Sequence, residues 1–372
     1  MKKKLIGVFL FMSLICGSVS AQGLPDRKET LKTLVKVNDY FMKKYADYRT
    51  PSYNGIIRPS NIWTRGVYYE GLMALHSIFP REDYYNYAYQ WADYHKWGMR
   101  NGNITRNADD QCCGQVYIDL YNMSSDPEKI RKIKACIDMI VNTPQVNDWT
   151  WVDAIQMGMP IYAKLGKLTG EQKYNDKMWD MYSYSRNVHG KNGLFNPKDG
   201  LWWRDADFVP PYKEPNGEDC YWSRGNGWVI AGLVEVLKNL PEEDKKYRPF
   251  YLQLYREMCE KLIELQGEDG YWRSSLLNKE TFPMPETSGT GLFTYALAYG
   301  VNQGHLPKDK YMPAVEKGWN ALVKAVNTEG KIGWVQMVAD KPGKVEKKSV
   351  RGYSVGSLLM TAAELYEFLE KK

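Results

Sequence analysis

The stretch Asn147–Pro160, NDWTWVDAIQMGMP, shows in fourteen residues the pattern on which the whole chain is built. Two tryptophans and one acid, Asp153, stand directly before an apolar segment with helical spacing. Aromatic and apolar neighbours remove water from a carboxylate, which raises its pKa and suits it to proton transfer near neutral pH. The same position also suits a plain helix N-cap, because Asp is a preferred capping residue. The stretch alone does not separate the two interpretations.

The same pattern, a polar turn followed by a helix rich in Gly, Ala and Ser, recurs six times. The turns begin at Trp63, Asp109, Asp153, Trp222, Glu286 and Arg351. Between them lie six more charged segments, as expected of an outer layer half in water: 28–48, 82–97, 127–141, 171–187, 246–266 and 312–326. This alternation is a helical-hairpin repeat, and six hairpins close into a ring. The sequence therefore predicts an all-α fold, an (α/α)6 barrel, with short β-hairpins at 193–203 and 333–338.

Residues 1–21 are predicted to be a secretory signal. Three lysines precede the apolar run Leu5–Cys16, and small residues follow up to Ala21. The run is too short to span a bilayer comfortably. Cleavage leaves one catalytic barrel domain, residues 22–372, exported to the periplasm or the cell exterior. A lipid anchor at the cysteine is disfavoured, because Ile15 stands where a small residue is needed.

Composition excludes several classes of function. Loss of the three signal lysines lowers the formal charge from +6 to +3, which gives no reason to expect a nucleic-acid partner. A mild positive excess suits an anionic small substrate or an ordinary surface. The cysteines have neither disulfide nor zinc spacing, and the four histidines do not cluster. No metal, no cofactor and no membrane span are therefore expected. The 13 Trp and 28 Tyr suit either sugar binding or a large helical core.

All inner helices of such a ring run the same way, so their N-terminal turns meet at one end. That end is predicted to collect acids, arginines and tryptophans: Arg65, Asp109, Asp110, Trp151, Asp153, Arg224, Trp228 and Arg351. Helix N-termini also favour negative ligands.

Two features of this end carry chemistry, each with a structural alternative. Asp153 with Asp109 or Asp110 forms a candidate carboxylate pair for glycoside hydrolysis, although helix capping explains all three and one of the adjacent acids is expected to be a cap. Arg224, followed by glycines, suits a bidentate grip on a substrate carboxylate. It equally suits a structural bond to carbonyls or to an internal acid. Trp228 either stacks on a sugar or plugs the barrel.

Further aromatics are expected on long loops over the same end. They lie in Trp202–Asp205, which contains Arg204, and at Trp222. They either contact a ligand or cover the core.

The motifs WVDAIQMGMP and WSRGNGW, with Asp109 and the Gly-Leu-x-x-Arg-Asp loop, resemble the unsaturated glucuronyl and rhamnogalacturonyl hydrolases. These are glycoside hydrolase families 88 and 105, and the resemblance, closer to 105, covers nearly the whole mature chain. It implies an (α/α)6 barrel acting on lyase-generated oligosaccharides with a terminal 4,5-unsaturated uronic acid. In the reaction of these families, an aspartic acid protonates C4 and water adds at C5. The hemiketal formed then breaks down and releases the next sugar.

Carried to this chain, the resemblance makes Asp153 the general acid/base and Asp109 the second essential acid. It gives substrate-contacting positions to Trp151, Arg224 and Trp228. We also expect Asp110, Arg65, Arg204 and Trp222 to contact substrate. Many relatives have histidine where this chain has Arg204, and histidine within the region of 142–147, which leaves the exact substrate open.

Three rival functions remain. An inverting glycosidase would use Asp153 and Asp109 as separate acid and base. A lyase would need a Tyr, His or Lys base at the centre. A non-catalytic glycan-binding protein would keep the tryptophans and do no chemistry.

Overall fold

The computed structural model describes residues 23–53 and 56–371 of the chain. The predicted signal segment lies outside these residues. Six outer helices occur in the described part: α1 (Arg27–Lys44), α3 (Glu82–Tyr94), α6 (Glu128–Val141), α9 (Gln172–Asn187), α11 (Arg248–Leu265) and α13 (Lys308–Ala325). The inner helices are α2 (Trp63–Ile78), α5 (Cys113–Ser124), α8 (Met159–Thr169), α10 (Ser223–Asn239), α12 (Thr287–Asn302) and α14 (Gly352–Glu370). Two short helices, α4 (Ala108–Gln111) and α7 (Asp153–Met157), lead into α5 and α8.

The inner helices form a closed ring. Each packs on the next in the order α2, α5, α8, α10, α12 and α14, and α14 returns to α2. Small residues permit this closure, since a Cβ on Gly71 would lie 2.6 Å from the Cα of Gly356. The predicted (α/α)6 barrel is confirmed.

The outer helices are amphipathic and turn one apolar face inward. In α6, the buried face carries isoleucines at helical spacing, Ile130, Ile133, Ile137 and Ile140. Because every outer helix connects to the N-terminal end of an inner one, the loops before the inner helices gather at one rim of the ring.

Two short antiparallel hairpins lie among these loops. One joins β3 (Phe195–Asn196) to β4 (Leu201–Trp202), as predicted for 193–203. The other, β1 (Ser52–Tyr53) with β2 (Ile57–Arg58), was not predicted. The hairpin predicted for 333–338 is wrong. Residues 334–338 belong instead to an irregular connection, residues 334–343, which we term the strap. The polar groups of the strap bond mainly to surrounding side chains.

Candidate active site

A narrow cleft opens at the rim where the inner helices begin. It has a volume of about 160 Å³. Its lining comes from the first hairpin, the starts of α2, α4 and α7, the loop after β4 and the strap: Ser52, Arg58, Ile62, Trp63, Thr64, Asp109, Trp151, Asp153, Arg204, Val338 and Ala339.

A larger cavity, of about 430 Å³, lies at the opposite end of the ring. Two of its lysines are already paired, with Lys164 2.6 Å from Asp119 and Lys238 2.7 Å from Glu364. Ion pairs of this kind hold the inner helices together at that end, whereas the cleft contains both predicted acids, Asp109 and Asp153. The cleft is therefore the candidate active site.

Asp153 stands at the floor of the cleft, as the first residue of α7. The N-cap of that helix is Val152, so the Asp153 side chain does not serve as the cap. The Val152 N–H donates to the Arg204 carbonyl at 2.9 Å, which fixes the turn against the following loop. The side chain is buried, and burial raises its pKa, while the nearby guanidinium groups of Arg204 and Arg224 act in the opposite direction.

Arg204 connects the floor of the cleft to its wall. Its Nε donates to Asp153 Oδ2 at 3.2 Å, and its Nη1 donates to Asp205 Oδ2 at 2.5 Å. Asp205 also forms a backbone bridge with Trp151, whose half-buried ring lines the cleft. The predicted positions of Trp151 and Arg204 are thus both at the cleft, one as an aromatic wall and the other as a charge beside the acid.

Asp109 is the second acid of the cleft. Asn107 caps α4, because its side chain accepts from the Asp109 N–H at 2.9 Å, so the Asp109 carboxyl is left for the cavity. Burial raises its pKa to about 7, with repulsion from Asp153 and Asp110 adding to the effect. Its surroundings therefore favour the protonated form of this carboxyl.

Asp110 points elsewhere. In place of the predicted substrate contact, its buried carboxylate accepts hydrogen bonds from Arg100, from Asn101 at 2.9 Å and from Thr105 at 2.9 Å. It therefore anchors the loop before α4. Of the two adjacent acids, only Asp109 lines the cleft.

Two other predicted contacts lie behind the cleft wall. The Arg65 guanidinium packs 4.0 Å from the ring centroid of Tyr45, between α1 and α2. Trp228 is fully buried and meets the cleft residue Trp63 edge to face, with ring centroids 5.9 Å apart. Trp228 therefore supports Trp63, and neither Arg65 nor Trp228 lines the cavity.

Arg224 and Trp222 hold the strap. Arg224 is fully buried and donates to the carbonyls of Gln336 at 3.0 Å and Met337 at 2.9 Å. Trp222 Nε1 donates to Gln336 Oε1 at 2.8 Å, and its ring lies 4.4 Å from the Arg224 guanidinium. This is the structural alternative for Arg224, a bond to carbonyls. Both residues act on the cleft through the strap, which supplies part of its wall.

Sequence reasoning missed the cleft residues of the first hairpin. Arg58 is half-buried and lines the cavity, and within the described residues its guanidinium has no carboxylate at ion-pair distance. Ser52 and Thr64 join hairpin to helix through a 2.8 Å hydroxyl contact. In the sequence, residues 49–61 form a polar, Pro-containing stretch, and such a stretch does not indicate where its side chains point.

Across residues 23–53 and 56–371, no group of three or more His, Cys, Asp or Glu side chains is arranged to hold a metal ion. In the same part of the chain, no helix combines the length and apolarity needed to cross a membrane.

A helical barrel with two acids in a rim cleft suits a glycoside hydrolase, because two carboxyls can act as the acid and the base of that reaction. Comparison with known proteins gives the family: the chain belongs to Glycosyl Hydrolase Family 88, which matches residues 33–369. The resemblance to family 88 stated from the motifs is confirmed, and the chain is a hydrolase.

Three relatives show how close the likeness is. The unsaturated 3S-rhamnoglycuronyl hydrolase of Formosa agariphila is 33% identical over 83% of this chain and 85% of its own length. A solved family 88 hydrolase from Bacteroides vulgatus has a TM-score of 0.85 and 32% identity, covering 92% of this chain and 100% of that one. A solved structure titled a polysaccharide lyase has the same score and identity, covering 93% of this chain and 99% of that one.

Proposed function

We propose that this enzyme releases a 4,5-unsaturated uronic acid from the non-reducing end of lyase-generated oligosaccharides. The observation that carries the proposal is a buried acid with a raised pKa, Asp153, at the floor of a cleft that also holds Asp109 and two guanidinium groups. A proton donor in an aromatic cleft suits an electron-rich double bond, and guanidinium groups suit the uronate carboxylate. The Formosa agariphila relative is named an unsaturated 3S-rhamnoglycuronyl hydrolase, which supports this substrate class.

The reaction begins with proton transfer. The protonated carboxyl of Asp153 gives its proton to C4 of the double bond, and positive charge develops at C5, stabilised by the ring oxygen. Water then adds at C5 and returns a proton to the Asp153 carboxylate. The resulting hemiketal opens: the bond between C5 and the ring oxygen breaks, C5 becomes a ketone, and the ring oxygen becomes a hydroxyl on C1. The hemiacetal left at C1 then breaks down to an aldehyde, and the proton of that hydroxyl passes to the oxygen of the released sugar.

The second acid helps to keep this proton available. Two carboxyls in one desolvated cleft disfavour double ionisation, so the pair of Asp153 and Asp109 retains a proton at pH values where an exposed pair would have lost both. Arg204 moderates this effect, because its guanidinium lies 3.2 Å from Asp153 and favours the carboxylate formed after the transfer.

Arg58 supplies the carboxylate contact. The Arg204 guanidinium is already engaged by Asp153 and Asp205, whereas Arg58 has no such partner among the described residues. A planar guanidinium facing a cleft is suited to a bidentate bond with a carboxylate. We therefore assign the C5 carboxylate of the substrate to Arg58.

The lyase title of one solved relative gives a second candidate activity. Lyase chemistry needs a base beside the sugar, and the cleft lining contains no Tyr, His or Lys within the part of the chain that the structure describes. The cleft geometry therefore favours hydrolysis.

Ultraviolet absorbance of the enol ether separates the candidates. We expect unsaturated disaccharides from pectin, arabinogalactan or glycosaminoglycan to lose absorbance with the wild-type protein. Asp153→Asn should fold normally and lose at least a thousandfold in kcat, because it has no proton to donate. A gain in absorbance would identify a lyase. Turnover retained by Asp153→Asn would reject the assigned acid, and binding without turnover would indicate a glycan-binding protein.

We also propose that the mature enzyme acts outside the cytoplasm, as the segment 1–21 predicts. Mass spectrometry of protein from a periplasmic extract should give an N-terminus at residue 22. An intact N-terminus in the cytosolic fraction would contradict export.

A further inference from the structure

Both acids of the cleft stand on short helical segments that precede the inner helices. Asp109 belongs to α4, which has four residues, and Cys112 separates that segment from α5. Asp153 belongs to α7, which has five residues, and Gly158 separates that segment from α8. Segments of about one turn close few backbone hydrogen bonds of their own, so their positions depend on contacts with other parts of the ring.

A single carboxyl reaches both segments. It belongs to Glu70, on α2. Its Oε1 accepts from the Cys112 thiol at 3.3 Å, and its Oε2 accepts from Gln156 Nε2 at 2.9 Å. Cys112 lies about one helical turn after Asp109, and Gln156 lies about one turn after Asp153. Glu70 therefore links the turn that follows one acid to the turn that follows the other.

The surroundings of this link are closely packed. On α2, about one turn before Glu70, a Cβ on Gly66 would lie 3.0 Å from the Cys112 sulfur. A Cβ on Gly158 would lie 3.3 Å from the Cβ of Ala108, so the end of α7 touches the start of α4. Because there is little free space, a displacement of one segment is passed to the other.

The link acts on the cleft only through these two segments. Glu70 itself lines the larger cavity at the opposite end of the ring and does not line the cleft. Its carboxyl therefore has no route to the substrate except through the positions of Asp109 and Asp153.

The proposed function depends on how the two acids lie relative to each other. Asp153 must meet C4 of the sugar, and Asp109 must lie near enough to keep a proton on the pair. A misplacement of about 1 Å can cost about a hundredfold in rate. We propose that Glu70 is a positioning residue that fixes the turns of Asp109 and Asp153 relative to each other, an inference that rests on the proposed function.

Two substitutions of the same residue separate the link from the presence of a side chain. Glu70→Met keeps the length and about the volume of the side chain and removes both acceptor oxygens. Glu70→Gln keeps one acceptor oxygen and adds an amide donor, so it can still bond to Cys112 and to Gln156. The first variant should break the link, and the second should preserve it.

Glu364 supplies the matched control. It lies on α14, lines the same cavity as Glu70 and is 5% exposed. Its carboxylate lies 2.7 Å from Lys238 Nζ, on α10, and accepts from Asn302 Nδ2, on α12, at 3.0 Å. Glu364→Met therefore removes two polar contacts at the same end of the ring, and neither of them reaches α4 or α7.

We expect Glu70→Met to lose roughly tenfold to a hundredfold in kcat on an unsaturated disaccharide, with KM changed less than about twofold. Glu70→Gln and Glu364→Met should both keep kcat within about threefold of wild type. A general loss of stability would affect Glu364→Met as well. Circular dichroism at the assay temperature checks that each variant is folded.

Gln156→Met tests the link from its other end. It removes the side-chain bond to Glu70 and keeps the backbone carbonyl at this position, which accepts from Gln115 Nε2 at 2.8 Å. We expect it to lose roughly tenfold in kcat. The double variant with Glu70→Met should lose less than the product of the two single losses, because both substitutions remove the same bond.

Hydrogen exchange followed by mass spectrometry measures the link without turnover. Peptides that cover residues 108–113 and 153–158 should exchange faster in Glu70→Met than in wild type, and at the wild-type rate in Glu70→Gln and Glu364→Met. Unchanged kcat in Glu70→Met, or an equal loss in Glu364→Met, would overturn the proposal. If Glu70→Met does not fold, unchanged kcat and unchanged exchange in Gln156→Met would overturn it.

The exchange measurement also separates this proposal from the proposed function. If the wild-type protein turns over no unsaturated substrate, the proposed function fails by itself. The link is then decided by exchange alone, and unchanged exchange of both segments in Glu70→Met would contradict it.

Discussion

Glu70 gives a prediction whose size follows from its surroundings. This acid lies on α2, is 8% exposed, and lines the larger cavity at the opposite end of the ring from the cleft. Its carboxyl accepts from Gln156 Nε2 at 2.9 Å, one helical turn after Asp153, and from the Cys112 thiol at 3.3 Å, one turn after Asp109. Burial raises its pKa to about 8 against the opposing charge of Lys164. Glu70 is therefore neutral at pH 7.

The neutral acid makes the wild-type protein less stable as the pH rises. Above its ordinary pKa of 4.5, the unfolded chain releases a proton that the folded chain retains up to about pH 8. The free energy of unfolding then falls by about 1.4 kcal/mol per pH unit, and the total loss between pH 4.5 and pH 7 is about 3 kcal/mol. Glu70→Gln carries no such proton. Its amide can also donate to Gln156 Oε1, a buried oxygen without a partner in the described structure.

We therefore expect Glu70→Gln to be more stable than wild type by up to about 3 kcal/mol at pH 7, and equal to it near pH 4.5. Urea unfolding followed by tryptophan fluorescence at pH 5, 6 and 7 measures the difference. Glu235→Gln is the matched control. Burial raises the pKa of that carboxyl, but Lys238 and Lys164 outweigh burial and hold it below its ordinary value. Its replacement should destabilise the fold. A Glu70→Gln variant less stable than wild type at pH 7, or a difference independent of pH, would refute the reasoning.

Four other substitutions test the site. Arg58→Gln should raise KM roughly tenfold to a hundredfold in steady-state assays, because a charged hydrogen bond to the substrate carboxylate is lost; an unchanged KM would contradict its role. Arg224→Lys should lower the free energy of unfolding by about 2–4 kcal/mol in urea, since a single ammonium cannot hold both strap carbonyls; a change below about 1 kcal/mol would argue against this anchor. Asp110→Asn should lower the free energy of unfolding by about 2–3 kcal/mol and leave kcat within about threefold, whereas Asp109→Asn should abolish turnover. Turnover lost in Asp110→Asn and retained in Asp109→Asn would make Asp110 the second essential acid.

The fold was predictable because its signal is local. Each hairpin repeats a charged outer segment and a small-residue inner segment, and the shared direction of the inner helices places their first turns at one rim. Asp153, Asp109 and Trp151 belong to those turns or stand just before them. Their position at the cleft could therefore be predicted from the repeat alone.

The direction of individual side chains was not predictable from the repeat. Neighbouring helical residues point about 100° apart. Which of Asp109 and Asp110 faces the cleft is decided by a tether from Arg100, in the preceding loop. Arg224 was expected to grip substrate, but its partners lie in the strap, more than a hundred residues further along the chain. Arg58 reaches the cleft from the first β-hairpin, whose sequence shows no periodic pattern of apolar residues.

The central claim is that Asp153 protonates C4 of the substrate, and following the double bond during the reaction tests it most directly. Wild-type protein and an unsaturated disaccharide are mixed in deuterium oxide, and the initial rate of absorbance loss is compared with that of sugar release, with the product examined by NMR. If Asp153 protonates C4, the two rates are equal and one deuterium enters C4 on a single face. Sugar release that precedes absorbance loss, with deuterium entering both faces of C4, would show direct attack on the glycosidic bond and contradict the account.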